Sequence, residues 1–131
     1  MEQNDTAKMK RAIISAVRQL GSEGLGVPFS YLHDEIEGLW ESQYHATQRT
    51  LLAEPNNNVC VWIGFTQMGI QAFLEIFSEG LLTIRPCESR HYPKSLYRPP
   101  YPVVSMDDLN KSLPDLSWLP VLLYTPENAP R

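Results

Sequence analysis

Two thiols and three imidazoles are the side chains best suited to nucleophilic or metal chemistry: Cys60, Cys87, His33, His45 and His91. A catalytic thiol needs a base within hydrogen-bond reach and a third group that orients the base. Arg85 and Arg90 flank Cys87 and favour a thiolate, but His91 lies in a segment without regular spacing, so no contact with the thiol follows from the sequence. Cys60 falls in an apolar run, where burial raises a thiol pKa. We therefore expect two reduced cysteines without a catalytic role.

Metal and phosphate motifs are missing from the sequence. It contains no H-E-x-x-H, C-x-x-C or H-x-H spacing. His33 and Glu37 stand four residues apart and could form one edge of a metal site, but an ordinary surface pair is the simpler interpretation. Gly21, Gly24 and Gly26 lack the preceding strand and the Lys-Ser ending of a phosphate-binding loop. The sequence therefore predicts no enzyme, no metal and no cofactor.

Composition is that of one domain in the cytoplasm. The chain has 131 residues, of which 43% are hydrophobic and 20% charged, a balance typical of globular proteins. Its first residues are polar, which predicts no secretory signal, and no run approaches the roughly 18 apolar residues that cross a bilayer. The net charge is −4, unevenly spread. Residues 21–80 are strongly acidic and residues 81–100 are basic, a contrast that can steer a partner of either sign.

Helical patterns fill much of the first half. Residues 7–20 predict an amphipathic helix, and Val27-Pro28 predicts a short extended piece. Ser30 then suits the cap of a second helix, whose apolar side chains recur at helical spacing: Leu32, Ile36, Leu39 and Trp40. Residues 41–53 also look helical.

A strand and a helix follow. The β-branched and aromatic run at 59–65 predicts a buried strand, and Thr66 offers a helix cap. The helix is expected over 66–79, with four residues inward: Ile70, Phe73, Leu74 and Phe77. Gly80 ends it, and residues 81–86 alternate as a strand does.

After Pro86 the chain becomes rich in proline. Extended segments are expected there, with a short helix over 106–112 that begins at Ser105. The apolar stretch at 118–126 should pack as a strand or an arm, either on its own subunit or on a second one. We accordingly divide the chain into a domain over 1–100 and an extended arm over 101–131.

Three segments together resemble a winged-helix domain: 7–20, 27–36 and 73–86. In that family the phrase EEGLL-x-I-R commonly joins the recognition helix to the first wing strand, and residues 78–85 read SEGLLTIR. The resemblance covers about residues 7–100 and implies an α+β winged-helix-like domain. The family joins its second and third helices by a tight turn, whereas a long segment with a predicted strand intervenes here. Either a helix and a strand are inserted, or residues 41–53 are the recognition helix.

What the resemblance implies for a site is contact with double-stranded DNA. The recognition helix would read bases and the wing would touch phosphates, through these residues: Gln67, Gln71, Ser78, Arg85, Arg90, Lys94 and Arg98. Glu75 on the same helix face opposes phosphate. Tyr92, Tyr97 and Tyr101 alternate with the basic residues and would either stack on single-stranded bases or pack on the core.

Two functions are therefore predicted, and an enzyme that uses Cys87 is kept as a third alternative. The first is a DNA-binding transcriptional regulator of winged-helix type that acts as a homodimer. The alternative is an acidic protein–protein interaction module, an adaptor or inhibitor, that grips its partner with the acidic residues 23–54 or the apolar residues 118–124. The negative net charge favours the second function and the basic segment favours the first.

Overall fold

A computed structural model describes residues 2–22, 25–32, 35–39, 49–53, 58–92, 99 and 101–129, and of residues 2–4 and 49 it describes the backbone alone. This part of the chain contains two helices, α1 (Glu2–Leu20) and α2 (Gln67–Ser78). Its strands are β1 (Val27–Pro28), β2 (Arg49–Leu52), β3 (Val59–Phe65), β4 (Thr83–Pro86), β5 (Ser117–Trp118) and β6 (Val121–Tyr124). Short 3-10 turns occur at Phe29–Leu32, Ser89–His91 and Met106–Asp108. The predicted α+β class is confirmed, and none of the helices described is long and apolar enough to cross a membrane.

The first sheet has the strand order β1-β6-β4, and both pairs are antiparallel. Leu123 in β6 lies opposite Val27 on one side and opposite Ile84 on the other. It is fully buried. The apolar stretch near the end of the chain thus forms a strand, as its sequence predicts, and that strand lies in the middle of the sheet.

The second sheet has the order β2-β3-β5. All seven residues of β3 are buried, which confirms the predicted strand. β3 runs antiparallel to β2 and parallel to β5. The helix predicted over 41–53 is wrong at its C-terminal end, since Arg49–Leu52 is a strand, and residues 40–48 lie outside the described residues. Leu51 explains the outcome because it is buried opposite Trp62 of β3, a pairing that outweighs local helix propensity.

A second correction concerns the helix predicted from Ser30 onward. Only Phe29–Leu32 is helical, as a 3-10 turn, and Ser30 lies inside that turn instead of capping a helix. Residues 35–39 form turns. Gly38 adopts a φ of 82°, which a right-handed helix does not allow. Leu39 is nevertheless buried as its pattern predicts, and its carbonyl accepts the amide of Thr66 at 3.1 Å.

Helix α1 begins five residues before the predicted start and buries Met9, Ile13 and Val17, in agreement with its amphipathic pattern. Helix α2 begins after Thr66, whose hydroxyl accepts the amide of Gly69 at 2.9 Å. This confirms the predicted cap. Gly80 has a φ of 71° just beyond the last turn.

The inward face of α2 is rotated from the predicted one. The buried residues are Gly69, Ala72, Phe73 and Ile76. Of the predicted inward residues only Phe73 is fully buried, and 49% of Leu74 is exposed. The cause is the close passage of the preceding segment, since a Cβ atom on Gly69 would lie 2.4 Å from the Leu39 carbonyl oxygen. Glycine brings that side of the helix to the core and turns Leu74 outward.

An aromatic cluster joins both sheets to α2. Tyr92 stacks on Trp62 with ring centroids 5.4 Å apart and meets the edge of Trp118 at 5.1 Å. Its hydroxyl donates to the Val121 carbonyl at 2.5 Å and accepts the Phe29 amide at 3.1 Å. Base stacking by Tyr92 is therefore wrong, because the ring is 1% exposed, and packing on the core is confirmed.

Of the other two tyrosines, one lies in the described part of the chain. Tyr101 is partly buried and packs against the same core, while Tyr97 lies outside the described residues. The short helix predicted over 106–112 is a 3-10 turn at Met106–Asp108.

Candidate functional site

The predicted base-reading residues lie on the surface of α2. Gln67, Gln71 and Ser78 are all exposed. The Gln71 side-chain amide donates to the Glu75 carboxylate at 2.8 Å. This hydrogen bond, and then the contact with Lys10, lowers the pKa of Glu75. The face thus carries a carboxylate that is ionised at neutral pH.

Helix α1 supplies the cation that balances this face. The Lys10 ammonium donates to Glu79 at 2.5 Å and to Glu75 at 3.4 Å. Hydrogen bonding to Glu79 raises the pKa of Lys10. One lysine of α1 therefore forms ion pairs with two carboxylates, those of Glu75 and Glu79.

Of the four residues predicted to contact phosphate, two lie in the described part of the chain. Arg85 lies exposed on β4, opposite Leu122 of β6. Arg90 lies exposed in the 3-10 turn, and its Nε atom is 3.2 Å from a carboxylate oxygen of Glu88. Lys94 and Arg98 fall outside the residues that the structure describes.

The thiols are protonated at neutral pH. Burial raises the pKa of Cys60 to about 12, and burial together with the charge of Glu88 raises that of Cys87 to about 11. The Nδ1 atom of His91 lies 3.0 Å from the backbone oxygen of Glu88, within its own turn. In the described ranges no group of three or more His, Cys, Asp and Glu side chains is arranged to hold a metal ion.

Two grooves that the sequence did not reveal flank the turn at Met106–Asp108. The first, which we call the acidic groove, has a volume of about 1040 Å³ and is open to solvent. Its apolar walls include four exposed side chains: Leu25, Tyr31, Val103 and Met106. Three carboxylates line it as well: Glu88, Asp107 and Asp108. Residues far apart in the chain therefore create one concave surface of mixed character.

The second groove, which we call the apolar groove, has a volume of about 640 Å³ and lies among β2, α2 and β4. The described residues of its lining include no charged side chain, and the polar ones among them are threonines. Leu52 and Leu74 face it from β2 and α2, with 37% and 49% of their surface exposed. The rotation of α2 described above thus exposes Leu74 at a groove.

The grooves meet at Pro86, Met106 and Leu119, which line both. Met106 is held in place by a capping box, in which Asp108 accepts the backbone amide of Ser105 at 3.0 Å. Its side chain is 52% exposed. Met106 therefore stands between the two grooves on a fixed backbone.

Most of the large hydrophobic side chains that are exposed in the described part of the chain line these grooves. Among the described residues eight large hydrophobic side chains are exposed, and six of them line one or both grooves. The remaining two are Leu20 and Leu81. A sequence signal existed on α2, whose seven apolar residues between 68 and 77 exceed what one buried stripe requires. No comparable signal marks Val103 or Met106.

Comparisons with known proteins return nothing: no protein-family model, no curated protein and no solved structure matches this chain. The winged-helix resemblance thus depends on the sequence segments 7–20, 27–36 and 73–86 themselves. The features of the structure that bear on function are the grooves and the surface around them.

Proposed function

We propose that this chain is a protein-interaction module that binds a segment of its partner in the two adjoining grooves. The observation that carries the proposal is the concentration of exposed apolar side chains, since six of the eight in the described part line these grooves. Scattered exposed leucines are ordinary on a protein surface, whereas a contiguous apolar patch marks an interaction site.

The dimensions favour a peptide segment over a compact small molecule. Pockets for small molecules have volumes of about 300–1000 Å³ and enclose most of the ligand. The acidic groove alone reaches about 1040 Å³ and is open, and the apolar groove continues from it. An extended or helical segment that crosses Met106 would contact both.

Met106 suits the centre of such an interface. Methionine is unbranched and polarizable, and it adapts to partners of different shape. The capping box around Ser105 and Asp108 fixes the backbone while the side chain stays free to adjust. Truncation of a central, well-packed side chain typically weakens binding more than truncation at the rim does.

The apolar segment 118–124, which the sequence suggested as a gripping surface, is mostly buried, and it lines the grooves through Leu119, Val121, Leu122 and Tyr124. Trp118, Leu119, Val121 and Leu123 are each at most 3% exposed, because they form the core between the sheets. The acidic residues 23–54 fall largely outside the described residues. The proposed interface therefore includes part of this segment as groove lining.

DNA binding by a homodimer of winged-helix type, with an inserted helix and strand and a proline-rich arm, is the second proposal. The exposure of Arg85 and Arg90 supports it. Glu75 and Glu79 oppose it, because they place two carboxylates on the face of α2 that would approach phosphates. Fluorescence anisotropy with a random duplex at low salt tests this proposal. Micromolar binding that weakens steeply with salt would favour it over the interaction module.

A peptide library displayed on phage tests the first proposal. The intact protein is used to select binders, whose affinities are then measured as synthetic peptides by anisotropy. Met106→Asp should weaken the selected peptides by about ten-fold or more, the effect of removing a central contact. Leu20→Asp is the matched control, since Leu20 is similarly exposed but lines neither groove. Binders that respond equally to both substitutions, or no binders at all, would contradict the proposal.

A further inference from the structure

We infer that the segment bound in the acidic groove is basic and carries Arg or Lys beside apolar side chains. The inference rests on the proposed function and specifies the partner. It follows from the lining of the groove, in which Glu88, Asp107 and Asp108 lie beside apolar side chains and, among the residues that the structure describes, no lysine or arginine occurs. Of the described residues in that lining, His91 alone has a basic side chain.

The three carboxylates are within reach of a partner. The Ser105 backbone amide, followed by the Lys111 ammonium, lowers the pKa of Asp108. Glu88 is 71% exposed and Asp107 is exposed too. Charge of one sign beside exposed apolar surface selects a segment with the opposite charge and an apolar side.

Two basic residues of this chain already contact the rim. Arg90 lies 3.2 Å from Glu88, and Lys111 lies 2.9 Å from Asp108. Both basic side chains are more than half exposed, and pairs of this kind contribute little because water screens them. A cation of the partner can therefore share or replace these pairs without a large loss.

The apolar side chains that line the acidic groove also suit long basic side chains. Lysine and arginine lay their aliphatic stems along apolar surface while the charged end reaches outward. Tyr31, 46% exposed in the wall, offers an aromatic face that attracts a guanidinium group. Arginine is the better match because its planar group can donate two hydrogen bonds to one carboxylate.

The charge of the whole protein acts in the same direction. With a net charge of −4, the chain attracts a cationic partner before contact, and this attraction speeds association at low salt. An acidic partner would be repelled by this net charge.

The phage-selected peptides test the inference directly. They should be enriched in arginine or lysine next to aliphatic or aromatic residues, and their affinity should fall by about three-fold or more between 50 and 500 mM NaCl, as expected of exposed charge pairs. The double substitution Glu88→Lys and Asp107→Lys should weaken them by about ten-fold or more, since attraction becomes repulsion.

The matched control is Glu35→Lys with Glu37→Lys. These two acids are exposed and line neither groove, and their reversal changes the net charge of the protein by the same amount. The control should leave affinity within about two-fold at 150 mM NaCl, where distant exposed charges are screened. Equal weakening by both double variants would overturn the inference.

Other outcomes separate the inference from the function. Neutral or acidic peptides that depend on Met106 but ignore the reversal at Glu88 and Asp107 would retain the interaction module and overturn the basic partner. Selection of no peptide would overturn both. Basic peptides that respond to Met106→Asp and to the reversal at the groove would support both.

Discussion

The hydroxyl of Tyr92 forms two buried hydrogen bonds, and its removal should destabilise the fold. It donates to the Val121 carbonyl and accepts the Phe29 amide, so it joins β6 to the start of the 3-10 turn after β1. Tyr92→Phe deletes both hydrogen bonds and leaves the ring stacked on Trp62. Each of the two buried backbone groups that loses its partner should cost about 1–3 kcal/mol.

The expected loss in the free energy of unfolding is therefore about 2–6 kcal/mol, a large share of the roughly 5–15 kcal/mol typical of a domain. Urea titration followed by tryptophan fluorescence measures it, with an unchanged m-value showing that the unfolded state is unaltered. Tyr31→Phe is the control, since Tyr31 is 46% exposed and its change should stay within about 0.5 kcal/mol. A loss below about 1 kcal/mol for Tyr92→Phe would refute the reasoning, because the two backbone groups would then have found other partners.

Three further substitutions or treatments give sharp outcomes. Gly80→Ala should lower the free energy of unfolding by about 1 kcal/mol, because Gly80 has a left-handed backbone. Nothing lies within 4 Å of the added Cβ, so no steric clash contributes. An unchanged melting temperature would contradict this. Cys60 and Cys87, with pKa values raised to about 12 and 11, should resist iodoacetamide at pH 8 in the folded protein and react after unfolding, as mass spectrometry can show; rapid native labelling of Cys87 would argue against its burial. Because the folded pKa of Asp108 lies below the ordinary 3.8, its ionised form stabilises the protein fully above about that pH, and the contribution is lost as the pH falls through the folded value. Asp108→Asn should accordingly reduce the pH dependence of stability on the acid side, and an identical acid unfolding curve would exclude that role.

Local sequence predicts the elements whose partners are nearby. The cap at Thr66, the buried strand over 59–65 and the helix that follows it are confirmed, because each depends on neighbouring residues. The failures occur where a distant contact decides. Arg49–Leu52 looks helical until β3 offers it a pairing edge, and the inward face of α2 depends on how closely the Leu39 carbonyl approaches Gly69.

The grooves could not be predicted from the sequence, because they too depend on contacts between distant residues. Leu25 and Val103 line the same groove although 78 positions separate them. Periodicity reports which residues share a face of one element, but it says nothing about which elements meet. Exposure of Gln67 and Gln71 was predictable from the helix pattern. The hydrogen bond between Gln71 and Glu75 follows the i, i+4 rule, whereas the approach of Lys10 from α1 does not.

The position of β6 between β1 and β4 has a consequence for biosynthesis. A ribosome releases the chain from its N-terminus at roughly 5–20 residues per second, so β1, β3 and β4 exist for several seconds before their shared partners at 117–124 emerge. During that interval strand edges and the rings around Trp62 have nothing to close against, which exposes the nascent chain to aggregation. Pairs such as Val27 with Leu123 span most of the sequence, and such non-local contacts fold slowly. Neither sheet can therefore be completed before residues 117–124 have been synthesised.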